Sequence, residues 1–360
     1  MASISVIDVK PGVTIANNVY TLMGGLLLRK GKVLLPRDLD ILRAFMVEEV
    51  EIEDYQIHSE SEAAASQESV NSSATATADL SRTGQFQKEY DRMLHLIKSA
   101  FQSVLASDLP IYELRHQLEN LIKQLKHYNV LTFVPRNMNE YDYLYHHAIL
   151  SSLTSYILAQ WHGLPKRDWM QVAFAGLLHD IGNTKIDPQI LYTPRPLTES
   201  EVEEMRMHTT YGYQQLRKTA AINEGVRLAA LQHHEKMDGS GYPFRLTGEK
   251  IHIYARIVAI ADIFHAMTLN RRYRKAQSPY LVLEQIKLEA FGKLDPNVVQ
   301  TFVDKVTQFH NGMRVRLSND KIGEIVFSDR NHPTRPMVSI QGEIINLMQE
   351  TQLHIEEVIS

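Results

Sequence analysis

Between residues 84 and 309 apolar positions recur at helical spacing. Phe86, Tyr90, Met93, Ile97 and Val104 form one stripe, and Leu114, Leu118, Leu121 and Leu125 form a second after Pro110. Such stripes predict amphipathic helices that bury one face in a bundle, with a homodimer seam as the alternative. Thr198 and Glu201 make a capping box, and Leu197 with Val202 fits the matching hydrophobic staple, so a helix should start there. Ser278-Pro279 and Asp295-Pro296 each read as an N-cap followed by proline in the first turn. After His310 the pattern changes to strict alternation. MRVRLS, GEIVFS, MVSIQG and EIINLM are separated by Asn319-Asp320, Asn331-His332-Pro333 and Gln341-Gly342, which predicts a small β unit, read here as a barrel candidate.

The N-terminal end mixes both patterns. Residues 26–35 read as two short strands turning at Lys30 to Lys32 around Gly31. The segment from Pro36 opens a short helix carrying Leu39, Leu42 and Phe45, and 47–52 closes as a strand. Residues 58–83 are rich in serine and alanine and hold too little apolar surface to offset ordering entropy, so they predict a flexible linker. The expected architecture is mainly α. It comprises a small mixed α/β domain at 1–57, the linker at 58–83, a multi-helix bundle at 84–310 and a β unit at 311–360. The linker would let the first domain regulate the bundle, mediate assembly or meet a protein partner.

Composition narrows the classes. A net charge of −4 over 360 residues gives no basic field for long nucleic acid. The absence of cysteine excludes disulfides, zinc-thiolate sites and thiol nucleophiles. No apolar run approaches the length of a membrane span, and the N-terminus lacks a signal pattern, which predicts a cytoplasmic protein.

The chain is instead rich in histidine, with 16. Candidate ligands fall in the order His147, His179, Asp180, His208, His233, His234 and Asp262. Imidazole nitrogens mixed with carboxylates suit divalent transition metals. His179 and Asp180 end an apolar helix carrying Val172, Phe174 and Leu177, which Ile181-Gly182 breaks. His233 and His234 close another, carrying Val226, Leu228 and Leu231. A helix end lets adjacent side chains point at one centre, which a helix interior does not. A carboxylate between two cations can bridge them, and Asp180 is placed for that role. Spacing does not tell whether His146 or His147 points inward. The Gly-Tyr-Pro turn has a purely backbone explanation, but that leaves the two histidines before it unaccounted for.

LLHDIG, HTTYG, HHEKMDGSGYP, RIVAIADIFHAMT and RRYRKA follow one another over roughly residues 135–305. In that order and spacing they resemble the HD-GYP family of phosphodiesterases, a branch of the HD metal-dependent phosphohydrolases that cleave cyclic di-GMP. The resemblance implies two divalent metal ions, iron or manganese. It places His147, His179, Asp180 and Asp262 on one and His208, His233 and His234 on the other, bridged by Asp180. Water shared by two such ions loses a proton near neutral pH and becomes the nucleophile. The implied products are linear pGpG and, after a second cut, GMP. Arg271 and Arg274 are implied phosphate ligands, and Tyr242 a wall of the pocket. Family members with a third metal carry a glutamate where this chain has Tyr143. Two departures stand out. Asn183 replaces the usual lysine, with Lys185 a substitute two residues on. His265 stands where a second aspartate is usual, and either weakens a supporting contact or adds a ligand. The rival expectations are a cyclic di-GMP-binding sensor with little turnover, or a phosphohydrolase for another nucleotide.

Overall fold

The structure is a computed structural model. It describes residues 2–6, 9, 12–20, 26–35, 38–39, 42, 47, 49–52 and 73–359, apart from 137, 272, 273, 310 and 330. The chain divides into two units, Met1–Asn71 and Ser72–Ser360.

In the first unit, β1 (Ala2–Ser5) pairs antiparallel with β4 (Glu49–Ile52), and β2 (Val19–Tyr20) with β3 (Leu26–Leu28). Ile15, Leu34 and Leu42 are its fully buried centre. The turn expected around Gly31 is present, with a φ of 82° that suits glycine. The strand after it is reduced to one bridge, because Val33 pairs with Thr14 rather than with β3. Asp38, Leu39 and Leu42 are helical, whereas Phe45 lies outside the described residues.

The second unit is a helix bundle. Its helices are α1 (Ser73–Ser103), α2 (Ile111–Ile122), α3 (Tyr143–Trp161), α4 (Lys166–Leu178), α5 (Pro188–Leu191), α6 (Glu199–Arg206), α7 (His208–Arg217), α8 (Glu224–Gln232), α9 (Ile253–Thr268), α10 (Pro279–Glu289) and α11 (Pro296–Val306). α1 starts inside the stretch read as linker. The alanines at 74, 76 and 78 favour a helix once a strong apolar stripe follows them. That stripe, from Phe86 to Val104, is buried in the bundle, as are Leu114, Leu118 and Leu121 of α2, so neither forms a dimer seam. Leu125 follows α2 in a short 3-10 turn. The expected caps are all made. Thr198 and Glu201 exchange both bonds of a capping box, and Ser278 and Asp295 accept from the first-turn amides of α10 and α11.

α3 is buried on almost every side and forms the axis of the bundle, which matches its apolar character all round. α4 crosses it closely. A Cβ at Gly176 would lie 2.7 Å from the Ser151 carbonyl oxygen, and Ser152 Oγ donates to the Ala173 carbonyl at 2.7 Å. Small residues at this crossing bring the start of α3 and the end of α4 together.

The last segment forms β5 (Arg314–Leu317), β6 (Ile322–Phe327), β7 (Met337–Ile340), β8 (Glu343–Asn346) and β9 (Ile355–Ile359). They lie in the order β8-β7-β6-β5-β9, all antiparallel. Among the described residues this sheet has two free ends, so it is open and not a barrel. It docks on α10. Arg335 grips Glu284 through two 2.6 Å bonds, Ser278 Oγ donates to the Ile355 carbonyl at 2.7 Å, and Tyr280 joins the sheet's core. The sheet therefore shares a unit with the helices.

Candidate metal centre

All seven candidate ligands converge. His147 comes from the second turn of α3, His179 and Asp180 from the end of α4, and His208 from the start of α7. His233 and His234 follow α8, and Asp262 lies in α9. Their ligand atoms form three overlapping groups, each within 4.8 Å: His147, His179 and Asp262; His179, Asp180 and His233; and His208, His233 and His234.

Asp180 stands between the groups. Its Oδ2 is 3.5 Å from His179 Nε2 and 3.9 Å from His147 Nδ1. Its Oδ1 is 3.5 Å from His208 Nε2 and 3.7 Å from His233 Nε2. Asp262 Oδ1 is 3.3 Å from His147 Nε2 and 3.8 Å from His179 Nε2, with Oδ2 4.0 Å from His234 Nδ1. Each carboxylate faces more than one histidine.

The donor set fits cations. Three rings donate from Nδ1 to helix-end carbonyls: His179 to Gly176 at 2.8 Å, His208 to Met205 at 2.5 Å, and His233 to Ala230 at 3.0 Å. Those bonds fix the tautomers and turn each Nε2 lone pair into the cluster. The Nε2 atoms of His208 and His233 face each other at 3.3 Å. Two lone pairs at that distance repel unless a cation or a proton lies between them. His179 Nε2 and His147 Nδ1 are buried without hydrogen-bond partners among the described residues. A cation supplies the missing partner for each.

Gly182 lets the halves meet. A Cβ there would overlap the His208 carbonyl and crowd the Gly212 amide. Glycine at this point lets α7 begin against the 3-10 turn Ile181–Lys185, which brings His208 to Asp180. A similar close approach holds the Gly-Tyr-Pro loop. A Cβ on Gly241 would lie 2.4 to 2.5 Å from backbone atoms of residues 234–236. Buried Glu235 accepts from the Phe244 amide at 2.7 Å and the Leu246 amide at 2.9 Å. Sequence reading left Glu235 without a role, although it stands directly after the histidines. Its role is to anchor this loop, which sets the Tyr242 ring against His234 at 4.9 Å.

A cavity of about 730 Å³ opens onto the cluster, within the range of roughly 300–1,000 Å³ common for small-molecule sites. Arg271, Arg274, Tyr242 and Asn183 are among the residues that line it. Arg271 and Arg274 exchange backbone bonds at 2.8 and 3.2 Å in a tight turn, and the Arg271 guanidinium sits 4.5 Å over the Tyr143 ring. Lys185 does not reach the cavity. Its ammonium rests 5.3 Å over the Tyr211 ring of α7 instead. His265 is also not a ligand here. It turns away from the cluster and bonds Thr154 Oγ1 at 2.7 Å and the Tyr128 hydroxyl at 3.5 Å. His146 turns toward α1 and bonds the Tyr90 hydroxyl at 2.9 Å, which leaves His147 as the inward histidine. Tyr141 and Tyr192 line the cavity and were missed; they lie in connecting segments with no periodic signal.

Burial lowers the pKa of His179 to about 4 and also lowers His208 and His234, so these rings are neutral and ready to ligate at pH 7. Burial opposes ionisation of Asp180, but the surrounding histidines outweigh it and hold that carboxyl low. His233 is raised, since the Asp180 and Asp262 carboxylates outweigh its burial. The metal-free fold should therefore weaken as pH falls from about 6.5 to 4. In that window the unfolded chain protonates histidines that the folded chain keeps neutral, at about 1.4 kcal/mol per pH unit for each such group. His233 acts in the opposite direction, contributing stability that is complete below pH 6.5 and lost as pH rises through its elevated value. Urea titrations of chelator-treated protein across pH 4 to 7 check this; stability that rises steadily toward pH 4 would contradict it.

The described helices include none long and apolar enough to cross a membrane. A helix bundle that brings His, His-Asp and Asp from separate helices to one centre defines an HD domain, and residues 121–298 match the family model described as HD domain. Residues 121–298 of this chain thus carry an HD domain, and their motifs resemble the HD-GYP branch. It is 32% identical over 216 residues to a cyclic di-GMP phosphodiesterase of Pseudomonas aeruginosa, covering 60% of this chain and 52% of that one. It is 36% identical over 149 residues to the cyclic di-GMP phosphodiesterase response regulator RpfG of Xanthomonas campestris, covering 41% and 39%. It is 33% identical over 153 residues to 3′3′-cGAMP-specific phosphodiesterase 2 of Vibrio cholerae, covering 42% and 29%. The chain thus spans about half, or less, of the length of these relatives.

Proposed function

We propose that this chain is a metal-dependent phosphodiesterase that hydrolyses cyclic di-GMP to linear pGpG, with GMP as the product of a second cut. The observation that carries this reading is Asp180, whose two oxygens face two separate sets of histidines. In this reading His147, His179 and Asp262 hold one divalent ion and His208, His233 and His234 a second, with Asp180 shared. The nitrogen-oxygen donor set suits iron or manganese. Such ions, when bound, neutralise phosphate charge and acidify water near neutral pH. The protein's own part is to hold the substrate. Arg271 and Arg274 offer guanidinium forks to phosphate oxygens from one wall of the cavity. Tyr143 backs Arg271 and limits its freedom. Tyr242 lines the same cavity. Asn183, buried with its Oδ1 lacking a partner among the described residues, faces the same space as a neutral group.

The test is anaerobic incubation with ferrous iron or manganese and either cyclic di-GMP or 3′3′-cGAMP, with products followed by chromatography. Linear pGpG or GMP from cyclic di-GMP is the expected result. Arg271→Ala should raise KM about tenfold or more, the scale of a lost charged hydrogen bond. Preference for 3′3′-cGAMP would reassign the substrate. No product from fully metallated protein would replace the enzyme reading with that of a nucleotide sensor.

A further inference from the structure

A second cavity, of about 670 Å³, adjoins the first at His234 and Tyr242. These two stacked rings, with Ile263 and Met267, are walls of both cavities. The two spaces are therefore neighbours beside His234, one of the candidate ligands. Three cations line the second one: Arg206, Lys236 and Lys293. Arg206 pairs with Glu203 at 2.5 Å and also lies 5.4 Å over the Tyr242 ring. Lys293 pairs at 3.2 Å with Glu289, the one carboxylate lining this space. Lys236 is different. It is half-buried, and among the described residues its ammonium makes no ion pair or hydrogen bond. Its backbone is held by the close approach of Gly241, so the side chain starts from a rigid point two residues after His234. The carboxylates that attract it, Glu289 and Asp262, stand beyond ion-pair distance, so a half-buried ammonium here is costly unless an anion arrives.

A cyclic dinucleotide carries two phosphodiester groups on opposite sides of its ring. If one lies at the metal centre, the other must extend away from it, and the second cavity is an adjoining space that could receive it. We propose that Lys236 binds the phosphodiester that is not being cut, and so selects substrates with two phosphates over a simple phosphodiester. This rests on the phosphodiesterase reading above.

The experiment compares the 360-residue, manganese-loaded chain with Lys236→Met and Lys236→Arg. The substrates are cyclic di-GMP and bis(4-nitrophenyl) phosphate, which has a single phosphodiester. A contact remote from the reacting atoms acts on KM and leaves kcat in place. Lys236→Met should raise KM for cyclic di-GMP about tenfold, lowering its kcat/KM relative to the simple diester by the same factor, and Lys236→Arg should recover most of it. Metal content should match across the three proteins. Unchanged KM for cyclic di-GMP, or an equal loss on both substrates, overturns the assignment. If the unaltered chain does not turn over cyclic di-GMP, the phosphodiesterase reading falls, and equilibrium binding of the same nucleotide decides on Lys236. Weaker binding by Lys236→Met keeps it as an anion ligand; equal binding removes it.

Discussion

Asp180→Asn is expected to lose more than about 100-fold in metal affinity and all measurable cyclic di-GMP hydrolysis. Residues that merely orient metal ligands cost roughly 10–100-fold when changed, and Asp180 faces both sets of ligands directly. The amide has nearly the same shape, so packing around it is preserved. It carries no charge, and its NH2 replaces one of the two acceptor oxygens that face the histidines. His233 should become less basic as well, because the Asp180 carboxylate is what raises it against burial. Metal analysis after dialysis, alongside turnover, reads the result. Circular dichroism on the same sample separates site loss from unfolding. A variant that kept both metals and normal turnover would remove Asp180 from the centre and, with it, the proposed ligand arrangement.

The second large effect is expected from Gly182→Ala. The added methyl would overlap the His208 carbonyl and crowd the Gly212 amide, both backbone groups that cannot swing aside as a long side chain would. Either α7 moves outward or the Ile181–Lys185 turn deforms. Overpacking of this kind costs about 1–3 kcal/mol and sometimes more. The movement separates His208 from Asp180, which stand 3.5 Å apart between Nε2 and Oδ1. The specific expectation is a lower melting temperature together with loss of the metal held by His208, His233 and His234. The His147, His179 and Asp262 group should retain its ion, since it does not depend on α7. Full metal content and unchanged melting in Gly182→Ala would show that the approach is looser than described.

Much of this arrangement is legible in the sequence. The seven candidate ligands are residue types with one plausible shared chemistry, and two pairs of them fall where apolar helices stop. Capping at Thr198, Ser278 and Asp295 was equally readable, because a cap is a contact between residues two or three apart. Other features were not. The serine- and alanine-rich stretch from Ser73 looks like a linker by composition, yet it extends a helix whose stability comes from packing further along. The alternation after residue 310 indicates strands but not whether a sheet closes on itself.

The sequence by itself determined most of the element types from residue 84 onward, the helix ends that carry His179, Asp180, His233 and His234, and the absence of thiol chemistry. These follow from periodicity, local hydrogen bonding and residue identity. Only the tertiary structure decided which of two adjacent histidines faces the centre. His146 meets Tyr90 and His147 meets Asp262, from helices distant in the chain. It also decided that Lys185 turns to Tyr211, that His265 turns to Thr154, and that Glu235 anchors the loop before Leu246. Such choices depend on how closely helices approach, which here is set by glycines such as Gly176 and Gly182 meeting backbone far away in sequence. Local spacing fixes the direction of a side chain relative to its own helix, and only packing fixes that helix relative to the others.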